Sequence, residues 1–142
     1  MGVRYEWVDE RQIIMNVYLE YPWTWKEYLD MMNVLIPILR DTKHPCATIV
    51  DCSHLGTLPR DGNVLNILMN VEKIMPSNVF ASVIVAAPYG VGVFMNMLMK
   101  MRPRAKVLAL FTKTMTEAQT AIYARYQKLY ADAGKVDNVK TI

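Results

Sequence analysis

Two runs, Ala47-Thr48-Ile49-Val50 and Val79-Phe80-Ala81-Ser82-Val83-Ile84-Val85-Ala86, constrain what this chain can fold into more than any other feature. Neither alternates polar with apolar residues, and both are too short for a buried helix, so each reads as a strand covered on both faces. Neighbouring parallel strands need long crossovers, and the chain supplies a helical pattern after each run. Aliphatic residues at helical spacing, Val64, Ile67, Leu68, Val71 and Ile74, follow the first run, and a Met-rich segment follows Gly90.

The remaining elements follow from period and capping. Val3-Tyr5-Trp7 and Ile13-Met15-Val17-Leu19-Tyr21 place apolar residues at every second position, the signature of an N-terminal hairpin across Asp9-Glu10-Arg11. Thr24 with Glu27 three residues later predicts a capping box, and Trp23 with Tyr28 a hydrophobic staple. Trp25, Tyr28, Leu29, Met32, Ile36 and Leu39 should then face the sheet, with a kink or early end at Pro37. A third helix should end near Met101, before Pro103, and Lys106 to Phe111 reads as the last strand. The final helix begins at Thr114 or Thr116 and turns Ala118, Ala121, Ile122, Tyr126 and Leu129 inward. Gly134 terminates it, leaving Lys135 to Ile142 as a frayed tail beyond an ordered core of about residues 3–132. The expected order is ββαβαβαβα in one domain spanning 1–142, an α/β fold with a mixed five-stranded sheet.

At 142 residues and 53% hydrophobic, the chain can fill one core. Its start lacks the apolar region of a secretory signal, and Pro, Lys or Asn breaks every apolar stretch before membrane-spanning length. A cytoplasmic protein with no membrane span is the expectation. The two cysteines, Cys46 and Cys52, lie along one strand where they cannot readily pair, and with only His44 and His54 no metal spacing exists. No cofactor is expected.

The Asp51-Cys52-Ser53-His54 run leaves the strand where α/β sheets usually bind ligands or partners. Contiguous residues on an extended chain diverge, so they do not make a catalytic triad, and an Asp51 turn holding Ser53 is favoured. Tyr89-Gly90-Val91-Gly92 has Met95 where a dinucleotide loop needs its third glycine, so Gly90 and Gly92 are read as allowing a tight turn. From Lys73 to Thr116, Lys73 included, there are six basic residues and no acid. Lys100, Arg102 and Arg104 in that stretch are a candidate anion contact, or simply cations at a helix end. Without interleaved aromatics they do not argue for nucleic acid. The helix from Val91 to Met101 is apolar almost all round. Phe94, Met97, Leu98 and Met101 suffice to face the sheet, which leaves Val91, Met95 and Met99 for a homodimer contact or a small apolar ligand.

The element order, the Thr48-Ile49-Val50-Asp51-Cys52-Ser53 strand end and the Asp61-Gly62-Asn63 helix entry together resemble the STAS domain, in its SpoIIAA-like branch of small bacterial proteins. The similarity runs from about Tyr5 to Leu129. It implies a cytoplasmic signalling module that binds a protein partner through Asp51, Ser53, His54, Asp61, Gly62 and Asn63. The family's phosphorylated serine lies in an Asp-Ser-Ser-Gly run. Here Gly62 and Asn63 follow Asp61, and the nearest hydroxyls are those of Ser53 and Thr57. The leading expectation is a non-enzymatic interaction module. A carrier or sensor of a small apolar or amphipathic molecule beside the 91–101 helix is the alternative. An enzyme using Asp51, Ser53 or His54 is the least favoured.

Overall fold

The computed structural model describes residues 2–131, so Gly134 and the expected tail lie outside the described residues. Strands β1 (Gly2–Trp7), β2 (Ile14–Glu20), β3 (Cys46–Asp51), β4 (Val79–Val85) and β5 (Ala109–Thr112) form one sheet in the order of the chain. β1 and β2 make the expected antiparallel hairpin, with Val3 opposite Leu19, Tyr5 opposite Val17 and Trp7 opposite Met15. All other pairings are parallel. The α/β class and the mixed five-stranded sheet are therefore as expected.

Helices α1 (Trp25–Asp41), α2 (Val64–Ile74), α3 (Tyr89–Met101) and α4 (Pro103–Leu108) connect successive strands, and α5 (Met115–Tyr126) follows β5. Right-handed crossovers that all step in one direction put their helices on one side of the sheet. The core divides accordingly. Met15, Val17 and Leu19 of β2 pack with Trp25, Leu35, Ile67, Val91 and Leu98 on one face. Ala47, Ile49 and Val83 pack with Ala118 and Ile122 of α5 on the other. β3 is thus covered twice, which is why its residues do not alternate in polarity.

Several local expectations change. α1 runs through Pro37 to Asp41 without an early end. Trp23 packs edge-on against Trp25 (4.8 Å), and it is Trp25 that meets Tyr28 (5.7 Å). The expected last strand starts late, because Pro103, whose fixed φ suits a first helical position, opens α4 there with Ala105 buried. Only the second half of the predicted run joins the sheet, so the element order gains one helix. Ile74 and Leu129 are exposed rather than inward. Thr114 caps α5 as expected, its hydroxyl accepting from the Glu117 amide (3.1 Å).

Among the described residues α5 and the turn that continues it to Tyr130 cover the second face, and the one fully buried large aliphatic side chain of α5 should carry the attachment. Ile122→Ala is expected to cost about 2–5 kcal/mol in urea unfolding; a loss below about 1 kcal/mol would show that α5 is not integral to the core.

Candidate functional site

The strand-end loop does not work as a single acidic edge. Asp51 Oδ1 accepts from the Ser53 amide (3.0 Å) and hydroxyl (2.6 Å), the local turn expected at this position. His54 Nδ1 lies 3.2 Å from the same hydroxyl. That hydroxyl has one proton, and it goes to Asp51, so His54 Nδ1 must donate to Ser53. A nucleophilic relay needs the imidazole between acid and hydroxyl, and here the hydroxyl is in the middle. Asp51 and His54 border a shallow polar hollow of about 240 Å³ with Arg4, Tyr18 and Glu20.

Asp61, Gly62 and Asn63 are separate from this group and, while exposed, also take part in holding the fold. Asp61 caps a helix that begins 36 residues earlier, accepting from the amides of Trp25 (2.9 Å) and Lys26 (3.1 Å). These backbone bonds, the Trp25 amide first, hold its carboxyl below the ordinary 3.8. Asn63 caps α2 through the Asn66 amide (3.0 Å). A Cβ on Gly62 would come within 2.6 Å of Ile67 Cδ1 and 3.3 Å of Trp25, so any larger residue there would have to displace the Ile67 side chain. The indoles of Trp23 and Trp25 complete the attachment by donating to the carbonyls of Leu55 (2.9 Å) and Pro59 (3.1 Å). Ser53, His54, Thr57 and Arg60 remain exposed on a loop pinned from beneath.

The expected anion contact is likewise mostly spent inside the fold. Arg104 donates to the carbonyls of Glu72 (3.1 Å), Met75 (2.6 Å) and Pro76 (3.1 Å), closing the C-terminal end of α2. Arg102 Nε pairs with Glu72 at 3.1 Å. Only Lys100 of the three is exposed. The glycines of the Tyr89-Gly90-Val91-Gly92 stretch are not needed for a left-handed turn, because Ala86 takes that conformation (φ 54°). Tyr89 projects there, 88% exposed, beside an open crevice between the ends of β4 and β5.

The cavity that matters lies between the sheet and the helices of the crowded face. It measures about 100 Å³, and Val91, Met95 and Leu98 of α3 form part of its wall. Leu98 faces inward as expected, but the rest of the expected facing of α3 changes: Val91 and Met95 are only 6% and 7% exposed, whereas Met97 and Met101 point outward. Val91 and Met95 therefore cannot form a homodimer contact. Met99 is half-buried against the same core without lining the cavity. α1 contributes Trp25 and Tyr28, α2 contributes Leu68 and Val71, and the strand-end loop contributes Cys52 and Leu55.

Burial pushes the Cys52 thiol up to about 12, with the Asp51 charge adding to the effect, and raises the Tyr28 hydroxyl for the same first reason. Cys46, buried at the other end of β3, rises to about 11. All three are neutral at physiological pH, and neither cysteine is a ready nucleophile. Glu72 is the cavity's charged residue, with its side chain 5% exposed. Sequence reasoning missed it. Its signal was present: Glu72 follows Leu68 at i+4 on the inner face of α2. Among the described residues no group of His, Cys, Asp and Glu could hold a metal ion, and no helix is long and apolar enough to cross a membrane.

Comparisons with protein-family models, curated proteins and solved structures find no match to this chain.

Asp61 offers a direct check on how the loop is held. A carboxyl with a lowered pKa contributes stability that is present above its unfolded value and disappears as pH falls through the folded one. Asp61→Ala should lower the urea midpoint at pH 7, and the gap to the parent should close as pH drops below 3.8. A gap that persists undiminished in acid would mean the carboxylate charge is not what caps α1.

Proposed function

We propose that this chain is a non-enzymatic binding module for a small apolar molecule held between the sheet and α3. The observation that carries the reading is the cavity itself. Close-packed interiors leave few voids larger than a water molecule, yet about 100 Å³ is open here behind almost wholly apolar walls. An unfilled apolar space of this kind forfeits dispersion contacts along its walls, so an apolar occupant would stabilise the fold. Methionine at Met75 and Met95 suits such a site, because an unbranched thioether adapts its shape to what it meets. The hydrogen-bond order at Asp51, Ser53 and His54, together with the raised thiols, supports binding over catalysis.

Native mass spectrometry of gently purified protein is expected to show an added small mass. The mass should be lost in Ala105→Leu, which fills the cavity from α4. A bare chain mass in the parent protein would count against the reading.

A second reading, that of a STAS-like interaction module, is favoured by one further observation. The exposed strand-end loop shares Cys52 and Leu55 with the cavity wall, so occupancy and the loop surface are mechanically joined. A protein partner would then meet Thr57 and Arg60, since Asp61 and Asn63 are committed to helix caps. Thr57→Glu with Arg60→Glu should abolish capture of a co-purifying partner while leaving the unfolding free energy within the range of ordinary surface changes, about 0.5 kcal/mol. Undiminished capture would rule the loop out.

A further inference from the structure

The β5 end of the sheet carries an exposed surface that neither the cavity nor the strand-end loop uses. β5 is the last strand, so one of its edges has no neighbour among the described residues. The Ala86 amide donates to the Thr112 carbonyl (2.9 Å), which turns Thr112 toward β4. Alternation along the strand then points the Phe111 amide and carbonyl outward. Beside this edge lies the open crevice of about 640 Å³, with Phe111 and Thr112 on one side and Tyr89, Gly92, Val93 and Asn96 of α3 on the other. Gly92 leaves a notch in that wall, because a Cβ there would meet nothing within 4 Å. Large apolar side chains surround the opening: Tyr89, Val93, Met97 and Met101 are exposed along α3, Val107 on α4 and Phe111 on β5. Around them Lys100, Lys106 and Lys113 are exposed as well. The acid in the crevice lining, Glu117, accepts from the Lys113 amide (3.2 Å) at the start of α5.

We infer that this edge binds an extended, acidic segment of another protein, added beside β5 as a further strand with an apolar side chain seated in the crevice. Main-chain pairing to a free edge gives such a contact its affinity, and pockets for alternate side chains give it selectivity. Charge selects the occupant. No acid occurs between Glu72 and Glu117, so the lysines favour an anionic partner. A second copy would bring the same lysines against themselves, and like charges on an edge strand oppose pairing. The chain's own residues 132–142 offer no net charge, since Asp132 and Asp137 balance Lys135 and Lys140. An anionic bilayer would leave the Phe111 amide and carbonyl unpaired in hydrocarbon and the crevice unfilled. Single-stranded nucleic acid needs ring faces on which its bases stack, and Val93, Met97, Met101 and Val107 have none.

The probe is a synthetic peptide, blocked at both ends, with Val and Thr alternating around a central Phe and Glu at each end. Titrated into the full chain, it should shift the Val93 and Phe111 amide resonances saturably. The same peptide with Lys in place of Glu should bind at least about tenfold more weakly. Gly92→Leu fills the notch and removes a helical glycine, so it should weaken the acidic peptide about tenfold while the urea midpoint does not fall. Lys106→Glu with Lys113→Glu should reverse the preference between the two peptides. The inference is overturned if the acidic peptide does not bind below about 1 mM, if the two peptides bind alike, or if Gly92→Leu leaves binding unchanged. It is overturned equally if phosphatidylserine vesicles or oligothymidylate shift these resonances and the peptide does not, or if sedimentation shows a dimer that Gly92→Leu dissolves. Should Gly92→Leu lower the midpoint, the charge reversal decides alone: an inverted preference supports the acidic strand, an unchanged one sinks it.

Discussion

Handedness is the constraint on which this structure rests. Successive parallel strands laid down in one direction, each reached by a right-handed crossover, send every connecting helix to the same side. That side therefore receives α1, α2, α3 and α4, while among the described residues the other receives α5 and its continuation through Tyr130. Three crossovers, the last carrying both α3 and α4, pack onto this face, and the cavity lies between them and the sheet. On the opposite side α5 covers β3 to β5 and leaves the hairpin end to polar groups. There the Arg4 guanidinium lies 3.8 Å above the Tyr18 ring, and the Tyr18 hydroxyl donates to Glu6 while accepting from Asn16. The two faces differ because the connections do.

The crowded face is held by polar clasps at its edges. Asp61 and the two indoles fasten the strand-end loop to the start of α1, and Arg102 and Arg104 fasten the α3–α4 junction to the end of α2. Each clasp satisfies backbone groups at a helix terminus that would otherwise be unpaired. The two clasps flank the cavity, and both draw on residues whose charge or position had suggested an outward role. Glu72 sits where the second clasp meets the apolar interior. That position makes it at once the counterion of Arg102 and a polar group on the cavity wall.

A comparison of particular residues shows which inferences the sequence could support. The hairpin, the two-faced strands and the Thr24 and Thr114 caps were legible, because period and capping are local properties of a few neighbouring residues. Asp61 was not. Its side chain caps a helix 36 residues away in the chain, and from sequence it reads as the entry to the helix that follows it. Arg104 shows the same thing: the carbonyls it binds belong to the end of α2 and the turn after it, not to its own helix. The facing of α3 was also misjudged, because an all-round apolar helix carries no stripe to read, and only its docked position selects Val91, Met95 and Leu98.

The amino-acid sequence by itself determined the α/β class, the hairpin and the succession of strands, since these follow from short-range patterns of size, branching and polarity. Tertiary structure alone decided which charges are spent within the fold, which face of α3 is inward, and that an acid lies beside an apolar void. These depend on residues brought together from distant parts of the chain. Such meetings are set by the geometry of packed elements rather than by any local run of side chains.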